Sequence, residues 1–161
     1  SFEELLGKDR VSFLLILDHL QDPGNLGTIM RAAEAAGVTG ILMSSDCVDI
    51  YNPKTIRSTM GALYRVPFVV SEDFAGDIER LKKAGVSTYA AHLGATISYE
   101  GADYKKPCAF MIGNEANGLS DEVAALADCK ILIPMAGQVE SLNAAMAATV
   151  LMFEAARQRR N

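Results

Sequence analysis

Short segments in which nearly every position is apolar constrain the fold more than any other feature of this chain. Residues 12–17 read SFLLIL and residues 108–112 read CAFMI, without the apolar and polar alternation of a strand that has one solvated face. Strands of this kind are buried on both faces, which is typical of a parallel sheet between two layers of helices. The sequence therefore predicts an α/β fold with a mostly parallel sheet and helices on both faces.

Helical segments with recognisable ends alternate with these strands. Asn25 is expected to cap a first helix after the turn at residues 18–24, and Gly37 is expected to end that helix in the left-handed conformation. Ser120 is expected to cap a short later helix, and residues 94–106 are expected to form a loop with a short extended piece. The other predicted elements are strands at 12–17, 40–43, 64–70, 87–91, 108–112 and 130–133, and helices at 53–60, 77–84, 121–126 and 142 to about 159.

The composition is that of one globular domain. The chain has 161 residues, of which 50% are hydrophobic and 22% are charged, and its formal net charge is -5. This charge argues against a protein whose whole surface binds a polyanion, although it allows a local basic site. No apolar run approaches the ~20 residues of a membrane span, so neither a membrane span nor a signal-like segment is expected.

The cysteines favour a reducing compartment. Cys47, Cys108 and Cys129 are an odd number, widely spaced, and they form no CxxC or Cys/His pattern. Neither a disulfide framework nor a metal site is therefore expected, and a cytoplasmic location is favoured. Because the sequence starts at Ser1 rather than Met, we expect a processed or truncated chain.

Four loops follow predicted strands and are the places where chemistry is expected, since open α/β sheets bind ligands at the carboxyl ends of their strands. They are residues 18–31, 91–95, 113–120 and 134–143. None contains GxGxxG, GxxxxGK[ST] or GxSxG, so a dinucleotide fingerprint, a P-loop and a nucleophilic serine are not indicated. His19 and His92 are single histidines without partners at metal-ligand spacing, and neither is assigned a catalytic role.

Several polar residues in these loops allow two interpretations. Arg31 is either a solvated helix residue or a fixed cation for a phosphate. Glu115 either caps a nearby helix or orients Arg31 or a substrate hydroxyl. Ser141 is either the N-cap of the last helix or part of a site. Gly24 and Gly27 either form a turn or present backbone N–H groups to an anion.

Three motifs in these loops resemble the SpoU/TrmH family of the SPOUT class of RNA 2′-O-ribose methyltransferases. The first motif is DPGNLG at 22–27 followed by RAA at 31–33. The second is IGNE at 112–115 followed by GLS at 118–120, and the third is IPM at 133–135 followed by SLN at 141–143. Each motif alone is weak, but the three together are specific, and the resemblance covers nearly the whole chain.

The resemblance implies a fold detail that the residue pattern does not. The C-terminal segment is expected to pass through a loop and form a deep trefoil knot that holds S-adenosylmethionine, although true knots are rare. Apolar side chains are expected to grip the adenine, with backbone groups supplying directional hydrogen bonds. The implied cofactor-binding residues are Gly113, Ile133 and Leu142, with Leu93, Gly94, Met135 and Asn143 as lesser candidates.

The resemblance also implies a catalytic set and a reaction. The reaction is methyl transfer from a sulfonium to a ribose 2′-oxygen, so the enzyme must align the two groups and help the hydroxyl lose its proton. A guanidinium is a poor base near neutral pH, so Arg31 is expected to hold the target phosphate and stabilise developing alkoxide charge. The implied catalytic residues are Asn25, Arg31, Glu115, Ser141 and Asn143.

The resemblance further implies a homodimer with active sites near the interface, and residues 1–161 as a catalytic domain separate from an N-terminal RNA-recognition domain. The segments 51–54 and 57–61 look more like the ribosomal-RNA and antibiotic-resistance branches of the family than its transfer-RNA branch, which implies ribosomal RNA rather than transfer RNA as the substrate. Two other functions stay open at this point. One is a non-catalytic RNA-binding or assembly protein that keeps the cofactor pocket, and the other is a nucleotide-binding oxidoreductase, which lacks its phosphate fingerprint here.

Overall fold

A fully parallel sheet forms the centre of the molecule. The computed structural model describes residues 1–92, 94–138 and 142–161. Among these residues seven strands pair in the order β3-β2-β1-β6-β4-β7-β5, and every neighbouring pair is parallel. The strands are β1 (Phe13–Leu17), β2 (Gly40–Ser44), β3 (Phe68–Ser71), β4 (Ser87–Ala91), β5 (Ile97–Ser98), β6 (Cys108–Ile112) and β7 (Cys129–Leu132).

Helices cover both faces of the sheet, as predicted. Phe13, Leu15 and Leu17 of β1 belong to one buried cluster, which includes side chains of α1 and α5. Leu14 and Ile16 belong to a second cluster on the opposite face with residues of α3 and α4. The helices are α1 (Pro23–Ala36), α2 (Pro53–Thr59), α3 (Phe74–Lys83), α4 (Asp121–Ala124) and α5 (Ala144–Arg159). Among the described residues, no helix combines the length and apolar character needed to cross a bilayer.

The beginning of α1 differs from the prediction. Asp22, not Asn25, is the N-cap, and its carboxylate accepts hydrogen bonds from the backbone N–H groups of Gly24 at 2.8 Å and Asn25 at 3.4 Å. Pro23 occupies the first helical position, where its missing N–H costs no hydrogen bond. The predicted end at Gly37 is confirmed, with φ 89°. Because Asp22 takes the Gly24 N–H group, that group is not free for an anion.

The helix α5 also begins at a different cap. Asn143, not Ser141, is its N-cap, and the Asn143 side chain accepts a hydrogen bond from Met146 N at 2.8 Å. Ser141 itself lies outside the described residues. The prediction that Ser120 caps a short helix is confirmed, since its hydroxyl accepts from Val123 N at 3.3 Å.

The strand predicted at 64–70 is too long. Residues Ala62–Tyr64 form a 3-10 turn instead, in which Ala62 and Leu63 are buried, and β3 begins only at Phe68. Pro67 explains the boundary, because proline has no N–H to donate to a neighbouring strand. The short extended piece expected within 94–106 is confirmed as β5.

The predicted trefoil knot remains a prediction. The connection from β7 to α5 is the segment that would pass through a loop, and Val139, Glu140 and Ser141 of this connection lie outside the described residues. What the structure shows is that α5 packs against α1 and β6.

The helices α1 and α2 pack closely because Gly27 has no side chain. A Cβ atom on Gly27 would lie 2.1 Å from the Cβ of Ser58 and 2.9 Å from the carbonyl oxygen of Thr55. About two turns further along α1, Glu34 Oε2 accepts a hydrogen bond from Arg65 Nη2 at 2.8 Å. These contacts hold α2 and the turn that follows it against α1.

We therefore expect Gly27→Ala to destabilise the fold by about 2 kcal/mol, because the added methyl group overpacks a contact with backbone. Urea unfolding of the purified chain measures this change. Gly137→Ala is the matched control, since no described atom lies within 4 Å of the Cβ position there. Equal stability of the two variants would show that α1 and α2 are not held at the distance described.

Candidate active site

A cleft of about 490 Å³ opens at the carboxyl ends of β4, β6 and β7. Its walls come from the segments that follow these strands and from the start of α5, which are far apart in sequence. Four of the predicted cofactor-binding residues, Gly113, Ile133, Met135 and Leu142, line this cleft. The other apolar side chains that line it are Ala91, Met111, Ile112, Ala116, Leu119, Ile131, Leu132, Ala144 and Ala147.

A second depression, of about 680 Å³, lies at the amino ends of the strands near Arg10, Val11 and Phe13. It is larger than the cleft, but none of the three motifs contributes a residue to it. Ligands of open parallel sheets bind at the carboxyl ends of the strands. We therefore take the smaller cleft as the candidate active site.

The second motif forms one wall of the cleft by folding back on itself. Asn114 N donates to Gly118 O at 3.0 Å, and Gly118 N donates to Asn114 O at 2.8 Å. A Cβ on Gly113 would lie 2.1 Å from the backbone of Gly118 and Leu119, so only glycine fits there. Gly118 has φ 69°, a conformation that favours glycine. The two glycines thus shape the wall by allowing close backbone contact.

Two carboxylates join this wall to the segment that begins α1. Glu115 Oε1 accepts hydrogen bonds from Gln21 N at 2.7 Å and Asp22 N at 3.2 Å. Asp18, which is buried, accepts from Ser120 N at 2.8 Å. Glu115 therefore contacts backbone N–H groups just before a helix, as one interpretation of the sequence expected. Its predicted role toward Arg31 or a substrate stays a prediction.

The structure contains a further polar cluster, around His19, that the sequence did not predict. His19 has φ 56°, and its Nδ1 lies 2.8 Å from Asp46 Oδ2. His19 N donates to Ser44 Oγ at 2.8 Å, and Asn114 Nδ2 donates to His19 O at 2.8 Å. A hydrogen bond from the Ser44 hydroxyl lowers the pKa of the Asp46 carboxyl, partial burial opposes this shift, and His19 adds to it. The cluster ties His19 both to the segment that ends β2 and to Asn114 of the second motif.

The remaining predicted residues are distributed around the cleft rather than gathered in it. Arg31 is exposed on α1 and is not among the described residues that line the cleft of its own chain. Asn25 is half-buried in the first turn of α1, and Asn143 caps α5. Gly94 N donates to His92 Nδ1 at 2.9 Å. The predictions for Leu93 and Ser141 fall outside the described residues.

Within the described ranges, no group of three or more His, Cys, Asp or Glu side chains is placed to hold a metal ion. The thiol nearest the centre of the sheet, Cys108, is buried, and burial raises its pKa to about 11. Such a thiol is protonated at neutral pH and is a poor nucleophile.

Comparison with known proteins decides the family. The model described as the SpoU rRNA Methylase family matches residues 12–153. The chain belongs to the SpoU rRNA methylase family. The match includes all three motifs and nearly every element of the sheet, so the resemblance stated from the sequence is confirmed.

Among relatives of this SpoU chain, the 23S rRNA (guanosine(2553)-2′-O)-methyltransferase RlmP of Bacillus subtilis is 35% identical over 140 residues, covering 87% of the chain and 56% of RlmP. The 23S rRNA (uridine(2479)-2′-O)-methyltransferase of Streptomyces viridochromogenes is 37% identical over 157 residues, covering 93% of the chain and 54% of that protein. The chain thus spans about half the length of these relatives.

The fold of the SpoU chain also matches solved structures. The SpoU methyltransferase AviRb from Streptomyces viridochromogenes, in complex with the cofactor AdoMet, superposes with a TM-score of 0.86 at 34% identity, over 95% of this chain and 63% of AviRb. The TrmH/SpoU tRNA modifying enzyme of A. aeolicus gives a TM-score of 0.83 at 27% identity, over 99% of this chain and 81% of that enzyme. The predicted parallel α/β architecture is confirmed as that of the family.

The carboxylate of Glu115 provides a direct test of how the site is held. In Glu115→Ala, we expect the Gln21 and Asp22 amides to exchange with solvent about fivefold faster, because loss of these hydrogen bonds corresponds to about 1 kcal/mol. Residue-resolved hydrogen exchange measures the change. Glu122→Ala, which removes an exposed carboxylate from α4, serves as the control. Unchanged exchange at both amides would contradict this role.

Proposed function

We propose that the chain is the catalytic domain of an S-adenosylmethionine-dependent methyltransferase that acts on a ribose 2′-hydroxyl of RNA. One observation carries the proposal: residues from the second and third motifs line one cleft, and a carboxylate of the second motif holds the segment where the first begins. The family membership and the printed activities of the relatives support the same conclusion.

The residues of the cleft fit this cofactor. The volume of the cleft, about 490 Å³, lies within the range of small-molecule sites, and the walls of the cleft are mainly apolar. Gly113, Ile133, Met135 and Leu142 would hold the adenosine part, and backbone groups near them would donate and accept hydrogen bonds. When bound, the cofactor supplies a methyl group on positively charged sulfur. The AviRb structure with AdoMet supports this assignment.

Arg31 holds the RNA in this proposal. Its guanidinium binds a phosphate next to the target ribose and stabilises negative charge as the 2′-oxygen passes its proton to that phosphate or to water. Alignment of the hydroxyl is the main contribution, because the methyl group is already activated. Asn25, Ser141 and Asn143 are the further polar residues that the proposal assigns to orienting the substrate.

The location of Arg31 favours a homodimer. Arg31 is exposed and does not line the described part of its own cleft, so it is available to the cleft of a second subunit. On α5, which packs against α1, the apolar side chains Met146 and Phe153 are 54% and 42% exposed. Exposed apolar groups next to α1 are suited to an interface between subunits. Each active site then draws on both subunits.

Ribosomal RNA is the proposed substrate. Both relatives described above are named for 23S rRNA, whereas a tRNA modifying enzyme appears among the structural matches at lower identity. A ribosomal RNA substrate is consistent with the predicted cytoplasmic location.

Arg31→Ala tests the proposal. We expect methyl transfer from labelled S-adenosylmethionine to ribosomal RNA to fall by about 100-fold or more, since a fixed group that stabilises an oxyanion is lost. Cofactor affinity, measured by calorimetry, should stay within about twofold, because the proposal assigns Arg31 to the phosphate and the 2′-oxygen of the RNA and not to the cofactor. Arg10→Ala, which removes an exposed arginine near the other depression, is the control.

Other results would overturn parts of the proposal. A large loss of cofactor binding in Arg31→Ala would contradict the role of this residue. Cofactor binding by the wild-type chain without ribose methylation of any RNA would favour a non-catalytic RNA-binding protein. Binding of a nicotinamide nucleotide instead of S-adenosylmethionine would favour an oxidoreductase.

A further inference from the structure

An exposed surface beside α1 combines cations with large apolar side chains and has no role in the proposed reaction. We name it the α2 surface, and it consists of Lys54, Arg57, Met60 and Tyr64. Lys54 and Arg57 are exposed on α2 and lie three residues apart, so they are neighbours on that helix. Met60 and Tyr64 follow α2 and are 64% and 80% exposed. Large exposed apolar and aromatic side chains beside cations are typical of an interaction surface.

The α2 surface runs beside the helix that carries Arg31. At one end, Lys54 Cε lies 3.9 Å from the position that a Cβ on Gly24 would occupy. Further along, Ser58 packs on Gly27. Gly27, Arg31 and Glu34 are spaced by four and three residues, so they share one side of α1, which is the side that α2 contacts. Arg31 therefore borders the α2 surface.

The two side chains after α2 are held outward by the backbone. Met60 has φ 50° and Gly61 has φ 92°, so the chain reverses directly after the helix. Arg65 closes this turn, because its Nη2 donates to Glu34 Oε2 at 2.8 Å and to Met60 O at 3.5 Å. A rigid turn presents Met60 and Tyr64 without the entropy loss of ordering a flexible loop on binding.

The charges of this region are complementary to a polyanion. Among the residues that the structure describes, no carboxylate lies within ion-pairing distance of Lys54, Arg57 or Arg31. Glu34, beside the turn after α2, is bound by Arg65, and Asp22, near Lys54, accepts backbone N–H groups. The chain as a whole carries a net charge of -5, so this cluster of cations stands out against an acidic background.

We propose that the α2 surface binds single-stranded RNA that continues from the nucleotide held by Arg31. Lys54 and Arg57 contact successive phosphates, and an unstacked base packs on the ring of Tyr64. Phosphate contacts supply affinity and position, and stacking on an aromatic ring suits single strands of any sequence. This inference rests on the proposed function, because it adds a second contact region for the same RNA.

The double variant Lys54→Ala/Arg57→Ala tests the phosphate contacts. Fluorescence anisotropy follows binding of a labelled oligouridylate of about 20 nucleotides between about 50 and about 200 mM salt. The negative slope of log K against log salt should become shallower by about 1.4, since each lost phosphate contact on a single strand removes about 0.7 from its magnitude. The control is Lys83→Ala/Lys130→Ala, which removes the same charge from two exposed lysines of α3 and β7 and should keep the wild-type slope.

Two substitutions of Tyr64, to alanine and to phenylalanine, test the stacking contact. Tyr64→Ala should weaken oligouridylate binding about tenfold without changing the salt slope, whereas Tyr64→Phe, which keeps the ring, should bind within about twofold of wild type. Thermal unfolding of each variant checks that the fold is intact.

The outcomes separate this inference from the proposed function. Calorimetric binding of S-adenosylmethionine should be the same in all these variants. An equal slope in both double variants, or no binding of oligouridylate to the wild-type chain, would overturn the α2 surface and leave cofactor binding unaffected. A change in oligomeric state in Tyr64→Ala, measured by light scattering, would assign the surface to a second copy of the chain and overturn its role with RNA. Failure of the wild-type chain to bind S-adenosylmethionine would instead overturn the proposed function.

Discussion

The candidate site depends on hydrogen bonds between two carboxylates and two distant backbone segments. Glu115 binds the N–H groups of Gln21 and Asp22, and Asp18 binds the N–H group of Ser120. These contacts tie the start of α1 to the wall of the cleft from both directions. Carboxylates accept backbone N–H groups strongly, and a buried polar group such as the Asp18 side chain is costly to leave without a hydrogen-bond partner. Together with the hydrogen bond from Asn114 Nδ2 to His19 O, the carboxylate contacts hold the first and second motifs in one arrangement.

The parallel sheet makes these contacts geometrically available. Leu17 and Ile112 are register partners at the carboxyl ends of β1 and β6, so the chain leaves both strands at the same level. The neighbouring strand β4 and then β7 end at the same edge and bring Ile133 and Met135 to the cleft. A sheet built from strands buried on both faces therefore explains how motifs separated by tens of residues form one site. The functional proposals build on this convergence.

Much of the fold could be predicted from sequence because it depends on local pattern. The bounds of β4 and β6 agree with the predicted 87–91 and 108–112, since apolar strands with clear breakers need no other information. The cap of α1 was missed because Asp22 and Asn25 are both good caps, and Pro23 at the first helical position decides between them. The left-handed conformation of His19 carries no local signal, because histidine seldom adopts it and its partner Asp46 is remote in sequence.

The site could be predicted in part. Gly113, Ile133, Met135 and Leu142 line one cleft, and their predicted role in cofactor binding stays a prediction. The backbone partners of Glu115 lie 93 and 94 residues away, so only the folded chain reveals them. The exposure of Arg31 outside its own cleft is likewise a property of assembled helices. It connects the proposed chemistry to a second subunit and to the α2 surface.

An NMR titration of the isotope-labelled chain with S-adenosylhomocysteine tests most directly whether the cleft is the cofactor site. This compound has the shape of the cofactor but no methyl group to transfer. We expect the largest chemical-shift changes at the amides of Gly113, Ile133 and Leu142, and unchanged shifts at the amides of Arg10 and Val11 in the other depression. Changes confined to the other depression, or no change at saturating ligand, would show that the cleft does not bind the cofactor.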